Sequence, residues 1–313
     1  ATSAVLAEML GSIFPPAYVS VVLGGRESIG ALLEQKFDYI FFTGSPKVGH
    51  IVMEAAARHL TPLTLELGGK SPCIVDESAN IRVAARRIAF GKILNAGQTC
   101  VAPDYLMIHA SRKEEFVAEY RAAVLEMLGE EPLQNKEFTH IINARHFERL
   151  CGLMRDARAV VGGRSDAESL RIEPTLLDDI TPASAAMQEE IFGPILPMMT
   201  WEKWNDVEDF VLSRPRPLAS YLFTTDSSAE KRFIANLAFG GGCVNDTIIH
   251  LAVHGLPFGG IGDSGMGAYH GKAGFDTFTH YKSVLTKGNW LDLPFRYHPY
   301  NGLKSRILRL FLR

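Results

Sequence analysis

From Ala4 the apolar positions recur at helical spacing to about Ile13 and then form a β-rich run over Tyr18 to Leu23. Helical spacing returns from Ile29 to Gln35 and closes into the apolar-aromatic run Phe37-Asp38-Tyr39-Ile40-Phe41-Phe42. Alternation between helical periods and short buried runs predicts βαβ units, hence a parallel sheet with helices on its faces. Ser45 and Pro46 occupy the cap and first position of the next helix, whose apolar stripe is Val48, Ile51, Val52 and Ala55. That helix begins at the carboxyl end of a strand. Strands follow at Leu63 to Leu67, Cys73 to Val75 and Tyr105 to His109, with helices at Ile81 to Leu94 and Glu114 to Leu128. Beyond Pro132 the pattern predicts a helix from Asn143 to Arg155 and strands near Ala159, Ile172, Ile195 and Tyr221. Helices at Trp204 to Leu212 and Ala229 to Leu237 and a strand at Gly242 to Val244 complete an α/β chain without internal repeats or low-complexity linkers.

Composition narrows the function classes. With 47% hydrophobic and 21% charged residues over 313 positions, the chain can bury one large core or two moderate ones. A net charge of -3 gives no basic excess for nucleic acid, and a small neutral or weakly charged substrate fits better. The cysteines at 73, 100, 151 and 243 form no C-x-x-C pair, which argues against a zinc site or a secreted disulfide framework and for a reducing, cytoplasmic setting. No leader-like segment and no stretch of about 20 apolar residues is present. Ala1 to Leu10 reads as the middle of a helix without a start signal, so the expectation is a fragment lacking an N-terminal part.

Chemistry concentrates between Leu65-Glu66-Leu67-Gly68-Gly69-Lys70 and Gly97-Gln98-Thr99-Cys100, which set one carboxylate and one thiol in Gly-flanked segments separated by a helix. An accessible thiolate is a nucleophile, and a glutamate in a less polar pocket becomes a general base on water. Taken singly, a buried thiol and a capping glutamate would be the simpler reading. Phe41-Phe42-Thr43-Gly44-Ser45 ends a strand and opens a helix, where free N–H groups favour a phosphate. Gly44 and Gly49 carry P-loop-like spacing, but His50 and Ile51 stand where Lys and Ser/Thr are required, and the G-x-G-x-x-G fingerprint is absent. A capped helix of any α/β fold is the alternative here. His250 and His254 sit four apart without a zincin glutamate or a third ligand, so no metal is expected. A Cys-His hydrolase built on Cys100 has no histidine in a protease-like context.

Together, Phe-Thr-Gly-Ser at 42–45, Leu-Glu-Leu-Gly-Gly-Lys at 65–70, Gly-Gln-Thr-Cys at 97–100, Glu-Glu-Ile-Phe-Gly-Pro at 189–194 and Pro-Phe-Gly-Gly at 257–260 resemble the aldehyde dehydrogenase superfamily. Leu60-Thr61-Pro62-Leu63-Thr64, Cys100-Val101-Ala102-Pro103-Asp104-Tyr105 and Ser264-Gly265-Met266-Gly267-Ala268-Tyr269-His270-Gly271 resemble its class 3 branch, which includes fatty aldehyde dehydrogenases. The resemblance implies a partial Rossmann-type cofactor domain over 1–67, an α/β catalytic domain over 68–275 and a tail over 276–313. It implies Cys100 as nucleophile and Glu66 as base for the deacylating water. Gly44, Ser45 and Gly49 would lie at the helix start near the pyrophosphate of NAD or NADP, Glu190 would hold the nicotinamide ribose, and Phe192 would pack beside it. Asn245 and Phe258 would shape the site floor or support the core.

The implied reaction is oxidation of a medium- or long-chain aliphatic or aromatic aldehyde to the carboxylic acid, through a cysteine thiohemiacetal and thioester. A homodimer is implied as well. Glu66 argues against the coenzyme A-acylating branch, which does not need this base. The family's oxyanion asparagine, its adenine-ribose lysine and glutamate, and the first strands of its cofactor domain would all precede Ala1. The expectation is therefore a chain inactive by itself, and the alternative is a non-catalytic binding or scaffold protein derived from such an enzyme.

The stretch Leu303-Lys304-Ser305-Arg306-Ile307-Leu308-Arg309-Leu310-Phe311-Leu312-Arg313 places Leu303, Ile307, Leu310 and Phe311 near one helical face with basic residues elsewhere. Weak contact of residues 303–313 with a membrane surface is one use of such a helix. Packing on the body or on a dimer mate is the other.

Overall fold

A computed structural model describes residues 2–312, which divide into a large unit, Ala1–Phe278, and a small one, Thr279–Arg313. The large unit opens with α1 (Thr2–Ile13), α2 (Arg26–Leu33), β1 (Ile40–Gly44), α3 (Pro46–Ala57), β2 (Leu63–Leu67), β3 (Pro72–Val75) and α4 (Ile81–Ile93). It continues through β4 (Tyr105–His109), α5 (Lys113–Leu128), α6 (Ala144–Leu153), β5 (Arg158–Val161), β6 (Ser165–Asp166), β7 (Arg171–Ile172), β8 (Thr175–Asp178) and β9 (Ile195–Trp201). The run closes with α7 (Trp204–Leu212), β10 (Ala219–Phe223), α8 (Ser227–Asn236), β11 (Gly241–Val244), β12 (Gly265–Met266) and α9 (Gly271–Thr277), and the small unit carries α10 (Gly302–Phe311).

Two sheets carry the α/β architecture. The larger has the order β11-β10-β3-β4-β9-β8-β5 and is parallel except for β5, which runs antiparallel to β8. Successive residues along β4 enter opposite cores: Leu106 and Ile108 pack with Ile88, Phe116 and Tyr120, whereas Tyr105 and Met107 pack with Trp201, Val207 and Phe233. A sheet covered on both faces needs such unbroken apolar strands. The smaller sheet has the order β1-β2-β12, with β1 parallel and β12 antiparallel to β2.

Most elements fall where the pattern places them, and the departures cluster near the amino end. Tyr18 to Leu23 forms no strand: it is irregular and exposed, and among the described residues it has no ladder partner to satisfy its backbone groups. Neither α1 nor α2 buries a residue. The strand expected from Phe37 begins instead at Ile40, and its residues alternate between half-buried and exposed rather than being fully covered. In α3 the buried stripe is Gly49, Val52, Ala55 and Ala56, while Val48 and Ile51 are exposed, because Gly49 lets the helix close onto Leu67 of β2. His250 and His254 do not share an α-helical face. His250 lies buried in a short 3-10 turn, Ile249–Ala252, and His254 lies exposed beyond it.

Candidate active site

Glu66 is held on the central strand of the smaller sheet, paired with Thr43 on β1 and with Gly265 on β12. Gly265, at φ +135°, allows the strands to close, since a Cβ there would stand 2.0 Å from the Leu65 carbonyl oxygen. Glu66 is 3% exposed, and neither carboxylate oxygen has a hydrogen-bond partner among the described residues. Burial pushes its pKa from 4.5 to about 8. A carboxyl group so placed takes up a proton near neutral pH.

Cys100 follows α4 through a left-handed kink at Asn95, Ala96 and Gly97. The Asn95 amide donates to the Gln98 carbonyl at 3.0 Å, and Gln98 ties the loop outward by donating to His140 O and accepting from Ile142 N. At Gly97, φ +67°, a Cβ would sit 2.2 Å from Gly193 O, so only glycine lets the cysteine loop and the 189–194 segment meet. Below the thiol, the buried Tyr221 hydroxyl donates to Val101 O. Cys100 is half-buried, and its pKa rises to about 11. Desolvation is the main cause, followed by the charges of Glu190 and Glu66, against backbone N–H donors of Cys100 and Val101 that favour the thiolate. Burial raises Tyr269 above the ordinary tyrosine range, and the charges of Glu66 and Cys100 add to the rise, which places this tyrosine in their common field.

Glu190 stands over the Gly68-Gly69 turn. Its pKa is raised to about 7 by burial and by Asp104, against the Gly69 N–H, Lys70 and Arg149, which favour the charged form. A framework fixes the chain on either side. Lys70 Nζ donates to Asp104, to Ala186 O at 2.8 Å and to Glu189 O at 2.9 Å, and Asp104 Oδ2 accepts the Ile191 N–H at 2.8 Å. Arg149 donates to the Glu189 carboxylate and to the carbonyls of Glu190 and Ile191. Phe192 then projects outward, 42% exposed, from a backbone at φ +49°.

Ser45 is at the N-cap of α3, but its side chain makes no capping bond, contrary to the simplest reading of Ser45-Pro46. Pro46 has no N–H and the N–H groups of Val48 and Gly49 return to Ser45 O, so the Lys47 N–H and the Ser45 hydroxyl are the first-turn donors that face an anion, and the pairing of Gly44 with Leu67 sets that turn beside the strand bearing Glu66. Gly49 is buried against Leu67, where a Cβ would stand 2.7 Å from the leucine side chain. Asn245 bonds both ways with the backbone of Thr224 at 2.9 Å, and Phe258 is 5% exposed among Tyr269, His250 and His270, so both support the core. The close cysteine-histidine contact in this region is Cys243 Sγ to His250 Nδ1 at 3.5 Å, not one to Cys100.

Sequence reasoning passed over Lys70, Asp104, Arg149 and Lys92. The last is a fully buried lysine eight residues before the thiol, lowered to about 8 by burial and by Lys70 against Asp104 and Glu190. Its only signal was a lysine inside an otherwise apolar helix turn.

Comparison with known proteins matches this arrangement to one family. The aldehyde dehydrogenase family model matches residues 1–284. The 4,4'-diaponeurosporen-aldehyde dehydrogenase of Staphylococcus aureus is 48% identical over 99% of this chain and 68% of its own length. Aldehyde dehydrogenase family 3 member B1 of Bos taurus is 46% identical over 98% of this chain and 66% of its length. A substrate-bound Staphylococcus aureus AldH structure superposes with a TM-score of 0.96 at 47% identity, over 99% of this chain and 68% of that one. A Mycobacterium tuberculosis aldehyde dehydrogenase complexed with NAD+ superposes at 0.82 with 31% identity, over 93% of this chain and 62% of that one. The chain thus spans about two thirds of the length of these relatives, and it belongs to the aldehyde dehydrogenase family.

Proposed function

We propose that the protein oxidises a medium- or long-chain aliphatic or aromatic aldehyde to the carboxylic acid with NAD or NADP, using Cys100 as nucleophile and Glu66 as base. The observation that carries this reading is the Glu66 carboxyl group, buried without a partner and charge-coupled to the half-buried Cys100 thiol. A structural glutamate would have bonded its oxygens.

The cofactor-side residues fit a dinucleotide. The Glu190 carboxylate packs directly on Gly68, which holds it in place, and the α3 start keeps the Lys47 N–H and the Ser45 hydroxyl for an anion. An ionised Glu190 can accept from both hydroxyls of a ribose, and Phe192 offers an exposed ring beside it. NAD or NADP, when bound, supplies the hydride acceptor for the oxidation. The protein residues do the rest. Cys100 sulfur adds to the aldehyde carbon, and the Cys100 and Val101 backbone N–H groups favour the anionic sulfur that does so. Once the acyl group is a thioester, Glu66 takes a proton from water, the hydroxide adds to the acyl carbon, and the cysteine sulfur leaves as the acid is released. The elevated pKa of Glu66 matches a base that must hold and return a proton near neutral pH.

Homodimerisation is part of the same reading and rests on family membership alone. The test is an NAD+- and NADP+-linked assay of the complete gene product against a graded series of aliphatic and aromatic aldehydes. Wild type turns over repeatedly, Cys100→Ser does not, and Glu66→Gln releases about one equivalent of reduced cofactor and stalls. Repeated full-rate turnover by either variant overturns the assignment.

A further inference from the structure

Tyr221 on β10 is paired with Cys73 of β3 on one side and with Cys243 of β11 on the other. Paired residues of neighbouring strands project to the same face of a sheet, so the Tyr221 ring rises between two small thiol side chains. None of it reaches solvent. Its hydroxyl crosses the core to the loop after α4 and donates to the Val101 carbonyl. The N–H of Ile248, from a different segment, is directed at the same oxygen. The phenol therefore uses its donor and one of its acceptor sites.

Both ends of this bridge lie in unusual backbone. Ile248 adopts φ +64° and ψ -40°, and Ile249 N donates to Thr247 O at 2.6 Å, which closes a γ-turn around a β-branched residue. Such a turn is strained and persists only where its surroundings hold it. Thr247 Oγ1 donates to Arg87 O at 2.8 Å, and Leu251 N donates to Ile248 O at 2.9 Å. At the other end, Val101 is wholly buried one residue past the thiol. Ala102 N donates to Thr99 O at 3.0 Å, so the turn that carries the sulfur closes on itself. Among the described residues, the one side-chain hydrogen bond to the backbone of 99–103 comes from Tyr221. Val101 is thus held by its carbonyl, while its N–H and that of Cys100 favour the anionic sulfur. Tyr120, equally buried in the same core, shows the contrasting case: its hydroxyl has no partner, and its ring only packs.

We propose that Tyr221 is a positioning residue for the nucleophile, its hydroxyl fixing Val101 so that the turn presents its N–H groups to the Cys100 sulfur as that sulfur gains charge. Tyr221 acts through Val101 and is not itself a reacting group. The proposal rests on the reading of Cys100 as nucleophile.

The experiment labels the intact chain with iodoacetamide at about pH 9, where only the thiolate reacts, and follows each cysteine by mass spectrometry. Tyr221→Phe keeps the ring and removes one hydrogen bond, and alkylation of Cys100 slows about tenfold. Cys73, fully buried beside the ring, stays unlabelled, and the partly exposed Cys151 on α6 reacts as in wild type. Cys243→Ala opens the flank of the same ring, leaves the hydroxyl bond in place and keeps the wild-type rate at Cys100. In the complete gene product, Glu66→Gln with Tyr221→Phe releases the same single equivalent of reduced cofactor as Glu66→Gln alone, about 10- to 100-fold more slowly and at unchanged KM for NAD(P). Labelling of Cys73 together with faster alkylation of Cys100 assigns Tyr221 to packing and overturns the proposal. So does an unchanged rate at Cys100, or an equal slowing in Cys243→Ala. Failure of the nucleophile assignment shows separately, as turnover by Cys100→Ser while Tyr221→Phe still slows labelling of Cys100.

Discussion

The carboxylate of Glu190 lies so close over Gly68 that a Cβ at position 68 would stand 2.0 Å from Oε2 and 2.5 Å from Oε1. Carboxylate and backbone of two distant motifs share one van der Waals boundary. Gly68→Ala therefore displaces Glu190 by an ångström or more while leaving Cys100 untouched. Misplacement on that scale costs about 100-fold in a positioned site. The expected outcome is a rise in KM for NAD(P) of about 10- to 100-fold, with the rate of Cys100 alkylation changed far less. Steady-state kinetics with varied cofactor and iodoacetamide labelling together check it.

Cys100 offers a pH test. With its pKa at about 11, raised first by burial and then by Glu190 and Glu66, the free thiol is mostly protonated at pH 8. Alkylation in the absence of cofactor should accelerate about tenfold per pH unit up to pH 10, because only the thiolate reacts. Glu190→Gln removes the larger of the two carboxylate contributions, stabilises the thiolate and moves the inflection to lower pH. An inflection near 8.5 in wild type, or none of the expected shift in Glu190→Gln, counts against the site's electrostatics as described.

Glu66 couples the site to stability. Its folded-state pKa of about 8 lies above the ordinary 4.5, so between these values the native protein holds a proton that the unfolded chain has released. More protons bound in the native state means stability falls as pH rises through that window, and the full penalty is present above pH 8. Glu66→Gln removes the ionisation. The variant should melt a few degrees above wild type at pH 8.5, roughly 2–4 °C for each kcal/mol recovered at this size, and should match wild type near pH 4.5. A scanning-calorimetry series across pH decides this, and a constant offset at all pH values refutes the linkage.

The legibility of this chain followed the reach of its forces. Tyr105 to His109 and Trp204 to Leu212 were readable residue by residue, because buried strands and amphipathic helices write their burial into local periodicity. Tyr18 to Leu23 carried the β-rich composition of a strand and is irregular, because a strand exists only when a second chain segment completes its ladder. Val48 and Ile51 misled for a related reason: the face of α3 that turns inward is set by the hole at Gly49 that admits Leu67, not by hydrophobicity alone. At the site, Glu66, Cys100 and Glu190 could be named from motifs. The framework of Lys70, Asp104 and Arg149 could not, since its bonds cross 34 to 119 positions of sequence and follow no local spacing.

That framework gives the last prediction. Asp104 is buried and joins two segments, receiving the Lys70 ammonium on Oδ1 and the Ile191 N–H on Oδ2 at 2.8 Å. Asp104→Ala leaves a buried ammonium with only the carbonyls of Ala186 and Glu189 and a buried N–H with no acceptor. Removing one partner of a buried ion pair costs about 3–5 kcal/mol, whereas removing both leaves no uncompensated charge. The single variant should therefore shift the urea midpoint strongly downward at unchanged slope, and Lys70→Met in the Asp104→Ala background should recover part of the loss. Because Ile191 adjoins Glu190, Asp104→Asn should raise KM for NAD(P) more than it lowers kcat, the signature of a misplaced binding carboxylate rather than a missing base. Additive destabilisation in the double variant, or an Asp104→Asn enzyme with unaltered KM, means that Asp104 does not connect these segments in the way its two bonds indicate.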